Sequence, residues 1–256
     1  MNAQPACDLT YFALASTAAT PVPVVPKTPA GELPDVLGGR YRIERLLGVG
    51  GMGAVYRARD LLREQFGDPE PYVALKTLSE DFAEYPDASA LLYSEYALTT
   101  RLSHRHVVRL YNFEIDPSSQ RAFITLELLK GPTLDQLLCE RLQGMPWSEL
   151  QGIALPLLEA LTYSHSLGVL HGDLKPSNVM LADDGLRLFD YGLGQPLEGL
   201  LPGLPRLCRT RFAAWTPRYA ALELLDGGEL TASADIYALA CVLYELASGS
   251  HPYRRL

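Results

Sequence analysis

Short runs in which apolar and polar residues alternate dominate the chain between about residues 40 and 126. Residues 41–47, 54–59 and 72–77 alternate in this way and predict three strands, and residues 107–112 and 122–126 predict two more. Residues 66–71 contain glycine, aspartate and proline, which predicts a loop within a hairpin. This part of the chain is therefore predicted to form a sheet.

A helical period of apolar residues first appears at residues 87–102. Leu91, Leu98 and Leu102 fall on one face of this predicted helix, and Glu95 falls on the same face. A carboxylate on an apolar, inward face requires a cationic partner. The pattern thus predicts that Glu95 is paired with a lysine or an arginine.

Beyond Gly131 the pattern changes to helices. Residues 133–141, 147–166 and 233–248 are predicted helices, and Pro156 predicts a kink in the second of them. The third is apolar almost all round and is followed by Gly249, so it is predicted to be buried rather than amphipathic. A strand-rich part followed by a helical part indicates two lobes.

Composition narrows the classes of function. The 256 residues are 48% hydrophobic and 20% charged, which suffices for one large domain or two small ones. The net charge of −8 does not suggest a nucleic-acid-binding surface. The 4 cysteines are scattered, without a CxxC pair or a Cys/His cluster, so neither a zinc site nor a disulfide framework is predicted. A reducing, cytoplasmic setting is the expectation.

The start of the chain differs from the rest. Residues 1–37 have several prolines between Pro21 and Pro34 and predict a flexible leader. The first basic residue is Lys27, so this segment does not resemble a secretory signal. No apolar run is long enough to predict a membrane segment within the chain, and an anchor beyond residue 256 is left open.

Three glycines in a GxGxxG pattern, Gly48, Gly50 and Gly53, lie between the first two predicted strands. Val55 follows in a strand-like run, whereas a helix follows this pattern in dinucleotide-binding folds. Glycines between two strands suit a backbone that closely approaches phosphate groups. An ordinary hairpin turn is the alternative interpretation of this motif alone.

A lysine ends the apolar run that reads VALK at residues 73–76. Burial of the Lys76 charge is unfavourable without a partner, and phosphate oxygens together with Glu95 provide one. The alternative is a lysine at a strand end that reaches water. The inward position of Glu95 favours the paired arrangement.

Two polar motifs follow in the second half, HGDLKPSN at residues 171–178 and DYG at residues 190–192. Phosphoryl transfer needs the groups that they bring together. Asp173 is a candidate to accept a hydroxyl proton, and Lys175 is a candidate to neutralise the moving phosphoryl group. Asn178 and Asp190 are candidates to hold magnesium.

The order of these motifs resembles that of the bacterial eukaryotic-type (Hanks-type) serine/threonine protein kinases, over residues 38–256. The resemblance implies an α+β, two-lobed protein kinase-like fold. An N-lobe at about residues 38–129 would be a small antiparallel sheet with one helix, and a larger C-lobe at about 130–256 would be mostly helical. Members of this family continue with several more helices, so the resemblance also implies that this C-lobe is incomplete.

An ATP site in the N-lobe is part of what the resemblance implies. Lys76 would anchor the α- and β-phosphates, Glu95 would position Lys76, and the three glycines would cover the phosphates. Glu127 to Leu129 would form a hinge that binds adenine through backbone groups. The adenine ring would lie between three apolar side chains, those of Val55, Ala74 and Met180. For each of these three alone, plain core packing is the alternative.

The resemblance also implies the catalytic and metal-binding roles. Asp173 would be the catalytic base, and Asn178 and Asp190 would bind Mg²⁺, with Mn²⁺ as an alternative ion. Lys175, two residues after the base, favours serine/threonine over tyrosine specificity. Thr216 matches the threonine of the family that hydrogen-bonds both the base and the lysine.

Several positions outside these motifs match or depart from the family pattern. Asp235 matches a buried aspartate that ties the catalytic loop to a central helix. Gly172 replaces an arginine that binds a phosphorylated activation segment, which puts ordering by phosphorylation in doubt. Tyr191 replaces a phenylalanine, and its hydroxyl needs a partner if it is buried. Glu223 would lack the arginine that family members provide from a later helix.

Three functions are compatible with these residues. The first is an ATP- and magnesium-dependent kinase of serine and threonine residues in protein substrates, with Thr210 as the expected autophosphorylation site of modest effect. The second is a pseudokinase that binds nucleotide or a partner, and the third is a small-molecule phosphotransferase of similar fold. The presence of Thr216 and Glu223 disfavours the third, because those phosphotransferases lack this segment. The physiological substrate, the activating signal and the oligomeric state do not follow from the sequence.

Overall fold

A computed structural model describes residues 33–49, 53–78, 88–191, 194–196 and 216–253, and the chain outside these ranges is not discussed structurally. Pro34 begins the compact unit that contains all of these residues except residue 33. The strands are β1 Val36–Leu37, β2 Tyr41–Val49, β3 Gly53–Asp60, β4 Tyr72–Leu78, β5 Leu110–Ile115, β6 Ala122–Leu126, β7 Val169–Leu170, β8 Val179–Ala182, β9 Gly185–Leu188 and β10 Gln195–Pro196. The helices are α1 Leu61–Gln65, α2 Ala88–Thr99, α3 Leu134–Glu140, α4 Trp147–Ser166, α5 Leu222–Leu225 and α6 Ala232–Ser248, and Pro176–Asn178 forms a 3-10 turn.

The first six strands form one antiparallel sheet in the order β1-β2-β3-β4-β6-β5. Its register places Val55 opposite Lys76, Lys76 opposite Ile124, and Ala74 opposite Leu126. Directly opposed residues of an antiparallel pair project from the same face, as do residues two apart on one strand. These five side chains therefore share one face of the sheet.

Helix α2 covers that same face. Leu91 and Leu92 of the helix form an apolar cluster with Leu78 and Ile124 of the sheet. Glu95 lies on the buried side of the helix and is only 8% exposed. The inward orientation that the sequence pattern predicted for Glu95 is thus what the structure has.

A short helix, α1, lies where the sequence predicted only strand and loop. The Asp60 side chain begins it by accepting hydrogen bonds from the backbone N–H groups of Leu62 and Arg63. Asp60 also receives two hydrogen bonds from the Arg40 guanidinium, at 2.8 and 2.7 Å. An N-cap that is also fixed by an ion pair outweighs the weak intrinsic helix tendency of five residues.

The predicted strand at residues 107–112 is displaced to Leu110–Ile115. Val107 and Val108 are buried, but their backbone contacts a different element. Val108 N donates to Leu188 O at 2.9 Å, and Leu188 N donates to His106 O at 2.8 Å. Tertiary pairing with β9 thus overrides the local pattern and joins the sheet to the helical part. At the chain start, β1 pairs with β2 and includes the fully buried Leu37, so the sheet begins before the predicted boundary at residue 38.

The helical part is organised around α4 and α6. Leu157 and Leu161 of α4 share an apolar core with Val242 and Leu246 of α6. Helix α4 has the predicted bounds and continues through Pro156. None of the helices in the described ranges is long and apolar enough to cross a membrane.

The prediction that the helix at residues 233–248 is buried all round is wrong. The buried residues of α6 recur every three or four positions, which is one helical face. On the opposite face Ile236 is 46% exposed and Tyr244 is 53% exposed. Gly249, with φ of 70°, ends the helix in the left-handed conformation, as its position predicted.

Candidate active site

Three charged side chains from a strand, a helix and a loop meet beside the sheet face described above. Lys76 Nζ on β4 lies 2.6 and 2.7 Å from the two carboxylate oxygens of Glu95 on α2. The same nitrogen lies 2.8 Å from Oδ1 of Asp190, in the loop after β9. We call Lys76, Glu95 and Asp190 the nucleotide-side cluster. It brings together residues that lie up to 114 positions apart in the chain.

Charge pairing overcomes desolvation at two members of this cluster, Lys76 and Asp190, whereas burial raises the pKa of Glu95 despite the nearby Lys76 charge. Burial lowers the pKa of Lys76, but the negative charges of Asp190 and Glu95 outweigh it and leave that pKa above its usual value. Burial alone would raise the pKa of Asp190, but Lys76 lowers it to about 2. The pairing therefore keeps Lys76 protonated and Asp190 ionised near neutral pH. A cation held beside a carboxylate in this way suits the binding of phosphate groups and a metal ion.

A second group of polar side chains surrounds Asp173. Lys175 Nζ lies 2.5 Å from Asp173 Oδ2 and donates to Thr216 Oγ1 at 3.0 Å. The backbone N–H of Thr216 donates to Asp173 Oδ1 at 3.2 Å. We call Asp173, Lys175 and Thr216 the loop-side cluster. Its three members are joined to one another by hydrogen bonds, as the sequence resemblance implied.

Asp235, at the start of α6, holds the backbone beneath the loop-side cluster. Its Oδ2 accepts from His171 N and its Oδ1 accepts from Gly172 N, both at 2.8 Å. His165 Nε2 of α4 lies 2.8 Å from the same Oδ2. Burial would raise the pKa of Asp235, but His165 and these other partners outweigh it and lower that pKa. The carboxylate therefore stays ionised and fixes the two residues that precede Asp173.

Oxygen atoms suited to a divalent cation lie next to both clusters. Asn178, in the 3-10 turn, is 4% exposed, and its Nδ2 donates to the backbone oxygen of Asp173 at 2.9 Å. This bond fixes the orientation of the amide. Its Oδ1 accepts no hydrogen bond from a described residue. Within the same ranges, Oδ2 of Asp190 is likewise without a hydrogen bond. Amide and carboxylate oxygens are the ligands that Mg²⁺ prefers, so the residues present fit that ion.

The candidate adenine-contact residues are placed along the sheet face and the hinge. Val55 and Ala74 share the face that carries Lys76, whereas Met180 lies on the separate hairpin formed by β8 and β9. The side chain of Glu127 is already engaged within the protein, because its Oε1 accepts a hydrogen bond from Arg109 N at 2.8 Å. No hydrogen bond between described residues uses the peptide N–H of Leu129. That group is therefore available to a ligand.

The glycines of the GxGxxG pattern have different structural reasons. A Cβ atom added at Gly53 would collide with the carbonyl oxygen of Thr77 on the adjacent strand β4. A Cβ added at Gly48 would meet nothing within 4 Å. Close packing of strands therefore requires glycine at position 53, a reason that the sequence did not indicate. Gly50 lies outside the described residues, as does Thr210.

The structure also places residues that the sequence reasoning missed. Glu245 is a buried carboxylate on α6 that accepts from Tyr219 OH at 2.6 Å and from Arg218 Nη2 at 2.8 Å. Tyr219 and Arg218 lie just after Thr216, so Glu245 fixes the segment that carries that residue. Glu223, by contrast, is exposed and forms no ion pair with a described residue. A signal was present, because Asp235 and Glu245 are the only charged residues within helix α6.

Comparison with known protein families gives a match over most of the chain. The model of the protein kinase domain matches residues 41–256. Serine/threonine-protein kinase PknE of Mycobacterium bovis is 36% identical over 220 residues, which cover 84% of this chain and 36% of PknE. Serine/threonine-protein kinase PknH of Mycobacterium tuberculosis is 34% identical over 218 residues, which cover 84% of this chain and 32% of PknH. The chain thus spans about a third of the length of these relatives.

Solved structures agree with the family match. The crystal structure of the Mycobacterium tuberculosis PknI kinase domain aligns with a TM-score of 0.63 and 26% sequence identity. The alignment covers 85% of this chain and 76% of the PknI chain. The predicted two-lobed α+β fold, a small antiparallel sheet with a helix followed by a mostly helical lobe, is therefore confirmed.

Proposed function

The chain belongs to the protein kinase domain family, and from that premise we propose that it transfers the γ-phosphoryl group of ATP to serine and threonine hydroxyls of protein substrates. Kinases of this family use ATP and act on proteins, and the relatives PknE and PknH are named serine/threonine-protein kinases. One observation carries the proposal for this chain. The Asp173 carboxylate is held by Lys175 and by Thr216, a set that serves proton removal and charge neutralisation at one point.

In the proposed reaction, Asp173 accepts the proton of the substrate hydroxyl. The hydroxyl oxygen forms a bond to the γ-phosphorus while the bond from that phosphorus to the oxygen of the leaving ADP breaks. Lys175, 2.5 Å from Asp173, is placed to neutralise charge on the transferred phosphoryl group. Thr216 keeps Asp173 and Lys175 in one arrangement, so little reorganisation is needed in the transition state.

The nucleotide-side cluster supplies the binding of ATP. Lys76 is the group that would contact the α- and β-phosphates, and Glu95 holds its ammonium in place. Asn178 and Asp190 would hold Mg²⁺, or Mn²⁺ in its place, and such an ion neutralises phosphate charge when it is bound. The backbone of the hinge at Glu127 to Leu129, with the apolar residues Val55, Ala74 and Met180 and the loop from Gly48 to Gly53, would hold the adenine and the phosphates.

Transfer of labelled γ-phosphate to a serine/threonine-containing protein tests this function. We expect the wild-type chain to transfer and Asp173→Ala to lose at least about a hundredfold in rate, since general-base catalysis contributes about 10²–10⁴-fold. A matched control is Asp226→Ala, an exposed aspartate that belongs to neither cluster. Nucleotide binding without any transfer by the wild type would indicate a pseudokinase. Transfer to small molecules alone would indicate a small-molecule phosphotransferase. Undiminished transfer by Asp173→Ala would contradict the proposed mechanism.

A further inference from the structure

Tyr191, the residue after Asp190, is held in the core by a hydrogen bond between its hydroxyl group and that of Ser164. We call this hydrogen bond the lock. The side chain is 0% exposed, and its ring centroid lies 4.6 Å from that of His171. Its hydroxyl oxygen lies 2.8 Å from Oγ of Ser164, which is also 0% exposed and belongs to α4. A buried tyrosine hydroxyl needs such a partner, and here the partner lies 27 residues away in the chain.

The direction of this hydrogen bond follows from the partners of Ser164. The Ser164 hydroxyl lies 2.9 Å from the backbone oxygen of Ala160, which can only accept. Its single hydrogen is therefore donated to Ala160, and its oxygen accepts the hydrogen of the Tyr191 hydroxyl. Both hydroxyl hydrogens are thus used, and neither residue leaves an unpaired donor in the core.

This arrangement is asymmetric with respect to a displacement of Tyr191. If Tyr191 left its position, Ser164 would keep its bond to Ala160, and only the tyrosine hydroxyl would lose a buried partner. The bond therefore favours the observed position of Tyr191 over any buried position in which its hydroxyl would lack a partner. A phenylalanine at position 191 would pack in the same space without this preference.

Asp190 is the residue that gains from this preference. Its φ of 67° lies in the left-handed region, which is unfavourable for a residue other than glycine and persists only where the surroundings impose it. Lys76 holds the carboxylate end of Asp190, whereas Tyr191 holds the chain directly after it. The backbone of Asp190 is thus fixed by its own ion pair and by the neighbouring side chain.

We infer that Ser164, through the hydroxyl of Tyr191, is a positioning residue that aims Asp190 at the metal-bound nucleotide. The inference rests on the proposed function, because it assigns Asp190 to a metal ion bound with ATP. Ser164 is fully buried, so it has no surface with which to contact nucleotide or substrate, and it acts through Tyr191. Asp190 is then supported from α4, an element that the catalytic motifs do not include.

Amide exchange tests the lock in the chain without any ligand. Gly194 N donates to Tyr191 O at 2.8 Å, so the Gly194 amide reports release of Tyr191. We expect Tyr191→Phe to speed its exchange about fivefold, the loss of one hydrogen bond. Ser164→Ala should speed it at least tenfold, because that change leaves the buried tyrosine hydroxyl unpaired. The double variant should return to the level of Tyr191→Phe, because it has no unpaired hydroxyl.

Calorimetric binding of ADP, with Mg²⁺ and with EDTA, tests the effect on Asp190. The gain in affinity that Mg²⁺ produces should fall at least threefold in Ser164→Ala and recover in the double variant to the level of Tyr191→Phe. Affinity for ADP in EDTA should remain unchanged, since Ser164 does not contact the nucleotide. Controls are Ser166→Ala on the same helix, which bonds Tyr163 O, and Tyr41→Phe, a buried tyrosine of the sheet.

Each outcome decides one claim. Equal Gly194 exchange in all variants, or additive effects in the double variant, would overturn the lock. Altered exchange with an unchanged magnesium gain would overturn the positioning role and leave a purely structural contact. A wild type that binds no nucleotide would count against the proposed function, and the exchange comparison would still decide the lock. If Ser164→Ala failed to fold, Tyr191→Phe and the double variant still provide the comparison.

Discussion

The two clusters of the candidate site differ in what holds them together. The nucleotide-side cluster consists of side chains from a strand, a helix and a loop, and within the described ranges these side chains are joined by ion pairs centred on Lys76. The loop-side cluster rests on backbone that the carboxylate of Asp235 fixes from beneath. A cluster joined by side-chain charges alone depends on the placement of each element, whereas one supported by backbone hydrogen bonds is preorganised. Substitutions should therefore act differently on the two sides.

Among substitutions outside the loop-side cluster, Lys76→Met is expected to have the largest effect. It removes the cation that pairs with both Glu95 and Asp190 and leaves two carboxylates facing each other, so the cluster should separate. Transfer should fall at least a hundredfold, about 2.7 kcal/mol of barrier. Lys130→Met is the matched control, because the ion pair that Lys130 forms with Glu70, at 3.4 Å, is exposed and distinct from the cluster. Normal transfer and nucleotide affinity in Lys76→Met would remove Lys76 from the site.

A smaller but broader effect is expected from Asp235→Asn. Both carboxylate oxygens accept a backbone N–H, from His171 and from Gly172, so either orientation of an amide would direct its NH₂ group at a donor. Unfolding free energy should fall by about 2–3 kcal/mol. The rate of phosphoryl transfer should fall several tens-fold. Nucleotide affinity should change little, because Asp235 supports the loop-side cluster and not the nucleotide-side cluster. Thermal unfolding and binding, measured beside the exposed control Asp226→Asn, check both statements.

A still smaller effect is expected from Glu245→Gln, which weakens the bonds that fix Tyr219 and Arg218. Thr216 would then be held less rigidly. The rate of transfer should fall about tenfold, and the apparent KM for the protein substrate should rise. Glu223→Gln is the control, because Glu223 is exposed and forms no ion pair with a described residue. Steady-state kinetics of both variants provide the measurement. An equal loss in Glu223→Gln would refute the assignment of this anchoring role to Glu245.

The smallest effect on transfer, none, is expected at a carboxylate outside both clusters. Asp116 is 2% exposed and accepts hydrogen bonds from Ser118, Ser119 and Gly38. Burial would raise its pKa, but these donors lower that pKa to about 2, below the unfolded value of about 3.9. Its stabilisation is therefore fully present above about pH 4 and is lost as pH falls through about 2. Asp116→Asn should lower the unfolding free energy by about 1–3 kcal/mol at neutral pH, and the difference from wild type should shrink on acidification. A constant difference down to pH 2 would contradict this account.

The sequence predicted local elements and their order better than it predicted contacts between elements that are distant in the chain. Helical periodicity alone placed Glu95 inward, and the order of strands and helices indicated two lobes. The partner of the Tyr191 hydroxyl could not be predicted, because Ser164 satisfies its own hydrogen within α4 and has no signature in the sequence. The displaced strand at residues 107–112 shows the same limit, since backbone pairing with Leu188 outweighs a local pattern. Contacts between elements distant in the chain account for most of what was missed.

Glu245 is a residue whose buried role does have a signal in the sequence. The helix at residues 233–248 is apolar almost all round in the sequence, but a buried carboxylate within it requires hydrogen-bond donors. Tyr219 and Arg218 provide them from the segment after Thr216. A charged residue inside an apolar helix therefore predicts a tertiary anchor, and the position of Asp235 at the start of the same helix supports this interpretation.

Nucleotide affinity of Asp173→Ala and Lys76→Met, measured side by side by calorimetry with ADP and Mg²⁺, tests the division between the two clusters most directly. The account predicts that Asp173→Ala binds within about twofold of wild type, because Asp173 acts on the substrate hydroxyl. Lys76→Met should lose at least tenfold in affinity, because it removes the cation that faces the phosphates. Equal losses in the two variants, or a greater loss in Asp173→Ala, would contradict the separation of binding from chemistry.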